Sequence, residues 1–264
     1  MYDAVVDEQS FQVLRGAAFV VALAAGMALE RAAPHARLRP AWRTNLGLWA
    51  VNAAVIGLAC GACACTVARW AEDRGVGILR ALAVPSSLAL VATVLALDAV
   101  SYAWHRANHR VPFLWRFHRV HHADRDFHVS TALRFHPGEL LLSLPIRLAA
   151  VVILGAPVAG VLAFEAVFAF ANILEHGNFD LPRGFERVLS VAFVTPALHR
   201  WHHSREVREL DSNFGTVLTI WDRAFRTLQW SDSGRRIVTG LPGGDGRPSL
   251  SGSLSGSLAA PFRR

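Results

Sequence analysis

Residues 44–68 form a run of 25 residues without a charged side chain, bounded by Arg43 and Arg69. A helix needs about 20 apolar residues to cross the hydrocarbon core of a bilayer. This segment therefore predicts a transmembrane helix. A second apolar segment, residues 81–104, is interrupted by one acid, Asp98, and predicts another.

Two further apolar regions predict additional membrane-embedded helices. Residues 16–29 are uncharged but short for a span, and residues 139–175 have a Gly-Ala-Pro sequence at their centre, which predicts a helical hairpin. Arg147 and Glu165 lie at equal distances from that turn. Because charges within a membrane usually pair, we expect an ion pair between them. The predicted fold is all-α, a polytopic membrane protein with four to five membrane-embedded helices.

The composition supports this class and excludes others. The chain is 53% hydrophobic and 18% charged with a net charge of +7, which argues against disorder and against an ordinary soluble domain. All of its basic residues are arginine, and an apolar, arginine-rich chain favours an anionic membrane surface over nucleic acid. Arginines crowd the segments around residues 31–43 and 106–125, so we expect both on the cytoplasmic side.

Cysteines and the carboxyl-terminal region carry little functional signal. Cys60, Cys63 and Cys65 lie in one apolar stretch, so we interpret them as small residues of a membrane helix. Residues 240–264 are rich in Gly and Ser and predict a disordered tail. A single membrane domain is therefore expected over residues 1–239.

Histidines supply the strongest functional signal. Eleven of the 12 histidines lie between residues 105 and 203, and eight of them form the clusters HRANH, HRVHH and HRWHH. Positions i, i+3 and i+4 share one face of a helix, so each cluster directs its imidazoles to a common point. Eight nitrogen ligands exceed the four of a zinc site, which favours two metal ions. The cluster histidines are His105, His109, His118, His121, His122, His199, His202 and His203.

These clusters, the Asp98-x-x-x-Tyr102-x-x-His105 spacing, and the runs LWRFHRVHHADRDFHVSTALRFHPGE and HRWHHSREVRELDSNFGTVLTIWDRAFRT resemble the fatty acid hydroxylase / sterol desaturase superfamily. The resemblance implies a membrane-bound di-iron oxygenase that uses O2 and two electrons to hydroxylate or desaturate a lipid, such as a fatty acyl chain or a sterol-like molecule. It implies that the eight cluster histidines bind two iron ions in a cytoplasmic histidine-rich cap. A purified sample could carry zinc instead, because imidazole binds both metals.

The resemblance also implies two further metal ligands, His136 in RFHPGE and His176 in EHGN. Asn172 departs from the pattern, since some family members have another histidine there. Histidine ligands commonly donate their second N–H to a carboxylate or carbonyl. Asp98, Asp211 and Asn213 are therefore expected to support the ligands; for Asp211 and Asn213 the alternative is a role in a helix N-cap or a turn.

A separate electron donor is expected, because the chain has no iron–sulfur cysteine spacing, haem domain or dinucleotide fingerprint. The resemblance implies a reductase, a ferredoxin or a reduced pterin, and a multi-pass protein of the bacterial inner membrane. A membrane metal transporter or metal-binding protein is the alternative, since such proteins also gather histidines. Transporters usually place ionisable residues within their spans, whereas these histidines lie outside the long apolar runs.

Overall fold

The computed structural model describes residues 8–60, 63–230, 237–242 and 252–263. Within these ranges the chain is helical and has only isolated β-bridges, so the all-α prediction is confirmed. The α-helices are α1 (Glu8–Ala32), α2 (Trp42–Cys60), α3 (Cys63–Asp73), α4 (Ile78–Ala81), α5 (Ser86–Arg110), α6 (Pro112–His122), α7 (Pro137–Leu154), α8 (Val158–Glu175), α9 (Arg183–Leu189), α10 (Pro196–His202), α11 (Val207–Leu210), α12 (Ile220–Ala224) and α13 (Leu254–Ala259). Val129–Leu133 and Ala260–Phe262 are 3-10 helices.

Three helices of the described ranges are long and apolar enough to cross a membrane, namely α5, α7 and α8. The hairpin predicted for residues 139–175 is formed by α7 and α8. Its turn begins at Gly155, which has a left-handed φ of 66° and packs against the backbone of Gly77. A Cβ on Gly77 would lie 2.1 Å from the backbone nitrogen of Gly155, so this close approach requires glycine.

The uncharged run at residues 44–68 is not described as one helix. It divides between α2, which ends at Cys60, and α3, which begins at Cys63, and residues 61–62 lie outside the described ranges. Ala68 of α3 is fully buried in a cluster of apolar side chains from α5, α7 and α8. Cys65 packs against this cluster, as expected for a small helix residue, whereas the side chains of Cys60 and Cys63 lie outside the described part.

Helix α8 lies at the centre of the bundle and packs against α1 and α5, while α3 packs against α7 and α8. Helix α1 extends the short segment predicted at residues 16–29 to 25 residues, or about 37 Å at 1.5 Å per residue. Ala22 of α1, Val129 and Ile173 form a second buried cluster. These contacts join the apolar bundle to the segment that follows α6.

Arg147 and Glu165 do not form the expected ion pair with each other. The Arg147 guanidinium lies instead over the rings of Phe164 and Phe168, 5.8 Å from each ring centroid. Aromatic faces attract cations, so Arg147 faces an aromatic wall of α8.

The carboxyl-terminal prediction also differs from the structure. Residues 240–264 were expected to be disordered, yet α13 is folded, and Leu254, Leu258 and Ala260 pack against Leu48 and Val120. Residues 243–251 lie outside the described ranges. A Gly/Ser-rich sequence cannot form a core alone, but leucines four residues apart share a helix face and bury it against α2 and α6.

Candidate metal centre

Three helices bring together the eight histidines of the sequence clusters. His105 and His109 lie in the last turns of α5, and the HRVHH sequence ends α6. The first four residues of HRWHH end α10, and His203 follows that helix. The structure divides them into two groups, in each of which one nitrogen per residue lies within 4.8 Å of the others. The five-histidine group contains His105, His109, His118, His122 and His202, and the four-histidine group contains His121, His176, His199 and His203.

Burial lowers the pKa of six of these imidazoles and so favours their neutral form. Loss of solvation, the largest cause, lowers the pKa of His176 and of His202 to about 3. The same cause, with repulsion between neighbouring histidines, takes four more pKa values well below the ordinary value, those of His121, His122, His199 and His203. Neutral imidazole is the form that binds metal, so the site is prepared for ligation at pH 7.

Backbone carbonyls orient two imidazoles of the five-histidine group. His105 Nδ1 lies 2.9 Å from the carbonyl oxygen of Phe214, and His202 Nδ1 lies 2.7 Å from that of Ser212. A neutral imidazole that donates from Nδ1 has its lone pair on Nε2. Residues 212–214 therefore direct both Nε2 lone pairs into the group.

A buried carboxylate orients His118. Its Nδ1 donates to Glu139 Oε1 at 2.9 Å, and the side-chain nitrogen of Asn108 donates to the same oxygen at 3.1 Å. In the four-histidine group, His176 Nδ1 donates to the carbonyl oxygen of Asn172 at 2.6 Å. Asn172 thus orients the His176 ring through its backbone.

The nitrogens that face inward fit bound cations. The Nε2 atoms of His121 and His199 lie 3.1 Å and 3.0 Å from Nε2 of His176, whose own lone pair points at both. In the other group, Nε2 of His105, His109 and His202 are buried without a hydrogen-bond partner among the described residues. Buried unpartnered polar atoms are costly, and a metal ion in each group would satisfy them. All nine donors are imidazoles, a set that suits iron, zinc, copper and nickel.

None of the three residues expected to support the ligands hydrogen-bonds to a histidine in the described structure. Asp98 accepts hydrogen bonds from the backbone N–H groups of Val217 and Leu218 at 3.3 Å and 3.2 Å, and from the Trp221 ring at 2.8 Å. It therefore anchors the chain after the third cluster and does not hydrogen-bond to a histidine. Asp211 Oδ1 lies 3.8 Å from His109 Nδ1, which is longer than a hydrogen bond.

Asn213 has a left-handed φ of 52° and donates to the carbonyl oxygens of Leu198 and Gln229 at 3.2 Å and 2.9 Å. Asp222, which the sequence analysis missed, accepts from the backbone N–H groups of Phe214 and Gly215, each at 2.8 Å. Asn213 and Asp222 thereby fix the backbone of residues 212–214. The carbonyl of Ser212 accepts from His202 Nδ1, and that of Phe214 accepts from His105 Nδ1.

The structure does not bring His136 to either group. His136 precedes α7, where its Nδ1 accepts from the backbone N–H of Gly138 at 2.9 Å and its Nε2 donates to the carbonyl oxygen of Leu258 at 3.1 Å. Both ring nitrogens are therefore engaged in capping α7 and in holding α13. By contrast, His176 lies within the four-histidine group.

Two carboxylates near the histidines were missed by the sequence analysis. Glu139 follows the HPG sequence and hydrogen-bonds to His118, while Glu175 precedes His176 and is buried. The Glu175 oxygens lie 3.9 Å from Nδ1 of His176 and of His199. The sequence did offer a signal for both carboxylates, since Glu139 ends the HPGE sequence and Glu175 begins the EHGN sequence.

A cavity of about 460 Å³ leads from the histidines into the bundle. His105 and His118 from one group and His176 from the other line its inner end. Its outer walls come from α1, α2, α7 and α8, where Trp49 and Ile146 are 45% and 44% exposed. A largely apolar cavity therefore joins the exposed outer side of the bundle to both histidine groups.

Comparisons with known proteins agree with this geometry. A family model described as fatty acid hydroxylase matches residues 90–227, a range that includes all nine clustered histidines. The chain is 33% identical over 180 residues to ornithine lipid hydroxylase OlsE of Rhizobium tropici, covering 68% of this chain and 52% of that protein. It is 27% identical over 149 residues to cholesterol 25-hydroxylase of Rattus norvegicus, covering 56% of this chain and 49% of the relative.

Alkylglycerol monooxygenase of Homo sapiens is 31% identical over 148 residues, which are 56% of this chain and 32% of that protein. The chain thus spans about half the length, or less, of these relatives. No solved structure matches it.

Proposed function

Since this chain belongs to the fatty acid hydroxylase family, we propose that it is a membrane-bound monooxygenase that uses O2 and two electrons to hydroxylate a lipid at a dinuclear iron centre. One observation carries the proposal: histidines from two closely packed groups line the inner end of an apolar cavity that opens among membrane helices. The relatives are lipid hydroxylases and a monooxygenase by name, which favours hydroxylation over desaturation.

Nine histidines would hold the two ions, the eight of the sequence clusters and His176. When bound, a pair of iron ions supplies the redox chemistry that activates O2 and removes hydrogen from an unactivated C–H bond. The protein holds the imidazoles in place. Glu139 and the carbonyls of Asn172, Ser212 and Phe214 fix the ring orientations, since ligand geometry depends on such partners.

The cavity positions the substrate. Its walls near the opening include the stacked rings of Phe19 and Trp49, whose centroids are 6.0 Å apart. A lipid would enter sideways from the bilayer and place one segment of its chain beside the histidines. Holding a single carbon there would lower the entropic part of the activation barrier. The apolar walls would exclude water from the reaction.

Electrons would come from a separate protein or a reduced pterin. Phe127 packs against the rings of His176 and His203, at centroid distances of 5.4 Å and 4.8 Å. Phe127 also lines a second hollow of about 200 Å³, together with Arg125 and Arg200. We propose this hollow as the docking site for an acidic reductase or ferredoxin, on the cytoplasmic face of a bacterial inner membrane. The Phe127 ring separates it from the four-histidine group, and the exposed Arg125 supplies a positive charge at its edge.

Lipid mass spectrometry tests the proposal. Extracts from cells that express the intact chain, grown with iron, are compared with extracts from cells that express His202→Ala. His136→Asn is the matched control, because it also replaces a histidine but retains a residue that caps helices well. We expect a lipid that gains one oxygen with the intact chain and with His136→Asn, and no such lipid with His202→Ala.

Metal analysis of the same samples distinguishes an oxygenase from a metal transporter or metal-binding protein. Two iron atoms per intact chain, falling in His202→Ala, are expected. Lipids that lose two hydrogens would identify a desaturase. An iron-loaded chain that changes no lipid, while cellular metal content changes, would contradict the oxygenase proposal and favour the metal transporter or metal-binding protein.

A further inference from the structure

Arg147 contributes a positive charge to the wall of the apolar cavity. Glu139, Ser143 and Arg147 follow one another at four-residue spacing along α7, and all three line the cavity. Residues four apart share a helix face, so α7 presents a polar stripe to the cavity that begins at the histidines and ends at Arg147.

The guanidinium lies far from the histidine end. It sits over Phe164 and Phe168 of α8, which precede His176 by 12 and 8 residues. At 1.5 Å per residue these intervals correspond to about 18 Å and about 12 Å along the helix axis. Along α7, the eight residues from Glu139 to Arg147 again correspond to about 12 Å.

The described part of the chain supplies no carboxylate for this charge. The acidic residues that line the cavity are Glu139 and Glu175, and both lie at the histidine end. Glu165 does not line the cavity. A positive charge among apolar side chains attracts an anion strongly, because the surroundings screen it little. Charged residues at membrane depth typically mark substrate sites.

We propose that Arg147 binds an anionic group, a carboxylate or a phosphate, on the lipid substrate, and so determines which carbon reaches the histidines. The planar guanidinium matches both groups through paired hydrogen bonds. As a statement about substrate class, this inference rests on the proposed function. The anion would be held about 12 Å to 18 Å from the reacting carbon, and an acyl chain would span the interval through the cavity.

Equilibrium binding tests this inference without turnover. The purified protein, in neutral detergent and without oxygen, is titrated with palmitic acid, hexadecyl phosphate and methyl palmitate. We expect palmitic acid or hexadecyl phosphate to bind more tightly than the uncharged ester. Arg147→Gln should weaken binding of the preferred anion by about tenfold or more, the effect of losing a hydrogen bond to a charged group, and leave the ester unchanged.

Two further variants serve as controls. Arg147→Lys keeps the charge and should retain part of the preference. Arg80→Gln removes an exposed arginine outside the cavity, which pairs with Glu72, and should bind like the wild type. The melting temperature of each variant establishes that it is folded. Equal affinity for ester and acid in the wild type, or unchanged anion binding in Arg147→Gln, would overturn the inference.

The outcome is separable from that of the proposed function. Anion binding that depends on Arg147, in a protein that oxidises no lipid, would support the inference and refute the monooxygenase. Oxidation of lipids that is indifferent to Arg147 would do the reverse. If both hold, mass spectrometry of the products should show one oxidised position in the wild type and several in Arg147→Gln.

Discussion

Glu139 offers the sharpest test of how the five-histidine group is held. One oxygen of its buried carboxylate accepts hydrogen bonds from His118 at 2.9 Å and from Asn108 at 3.1 Å. Hydrogen bonds to a charged group contribute about 1.5–3 kcal/mol each, and loss of a residue that orients a ligand costs about 10–100-fold in metal affinity. We therefore expect Glu139→Ala to lower iron affinity of this group by about that factor, or about 1.4–2.8 kcal/mol.

Glu139→Gln should have a smaller effect, because an amide oxygen still accepts a hydrogen bond from His118 although the charge is lost. The control is Ser143→Ala, one turn later on α7, whose hydroxyl bonds only to the carbonyl of Leu140 in the described structure. Iron retained per chain is measured against a competing chelator. We expect loss of one of the two proposed irons, with the greatest loss in Glu139→Ala, a smaller loss in Glu139→Gln and the least in the wild type. Equal retention in all three proteins would refute the role assigned to Glu139.

Three other perturbations have defined outcomes. Asp98→Ala removes three hydrogen bonds to the chain after the third cluster and should destabilise the fold by about 3 kcal/mol, measured as a lower melting temperature; a melting temperature equal to that of the wild type would contradict the anchoring role. Leu258→Ala should lower it too, by about 1–3 kcal/mol, and undisturbed melting would mean that α13 does not contribute to the core. The metal-free protein should lose stability as pH falls below 6.5, because the pKa of His202 drops from its ordinary 6.5 to about 3 on folding. Below pH 6.5 the unfolded chain binds a proton that the folded chain does not. The free energy of unfolding therefore falls by about 1.4 kcal/mol per pH unit for this residue until the pH approaches 3. His202→Gln should make the decline in melting temperature less steep, and an equally steep decline would contradict the assignment.

The sequence predicted the site best where the signal is local. Three clusters with i, i+3 and i+4 spacing need only helices to align their rings, and the structure provides those helices. The sequence could not predict how the imidazole rings divide between the two groups, because His118 and His121 lie on one helix yet belong to different groups. That division depends on the packing of α5, α6, α8 and α10.

His136 and His176 show the limit of motif reasoning. Each lies in a short motif, but only His176 ends a helix that packs against α10, whereas both nitrogens of His136 are engaged elsewhere. For the fold, the turn between α7 and α8 follows from Gly-Ala-Pro. The docking of α13 does not follow from the sequence, because the Gly/Ser-rich composition hides two leucines whose partners, Leu48 and Val120, lie far earlier in the chain.

Backbone carbonyls accept most of the hydrogen bonds that orient the histidines of this centre. Three of the four Nδ1 hydrogen bonds described above end on carbonyl oxygens, those of Asn172, Ser212 and Phe214, and no side-chain substitution removes a carbonyl. Alanine at these positions leaves the carbonyl acceptor in place, so the effect of Phe214→Ala would report the loss of a buried ring that packs against His105 and His202. An alanine scan should instead register Asn213 and Asp222, which fix the path of the backbone. The hydrogen bonds that orient His105 and His202 thus depend on the backbone path that Asn213 and Asp222 fix.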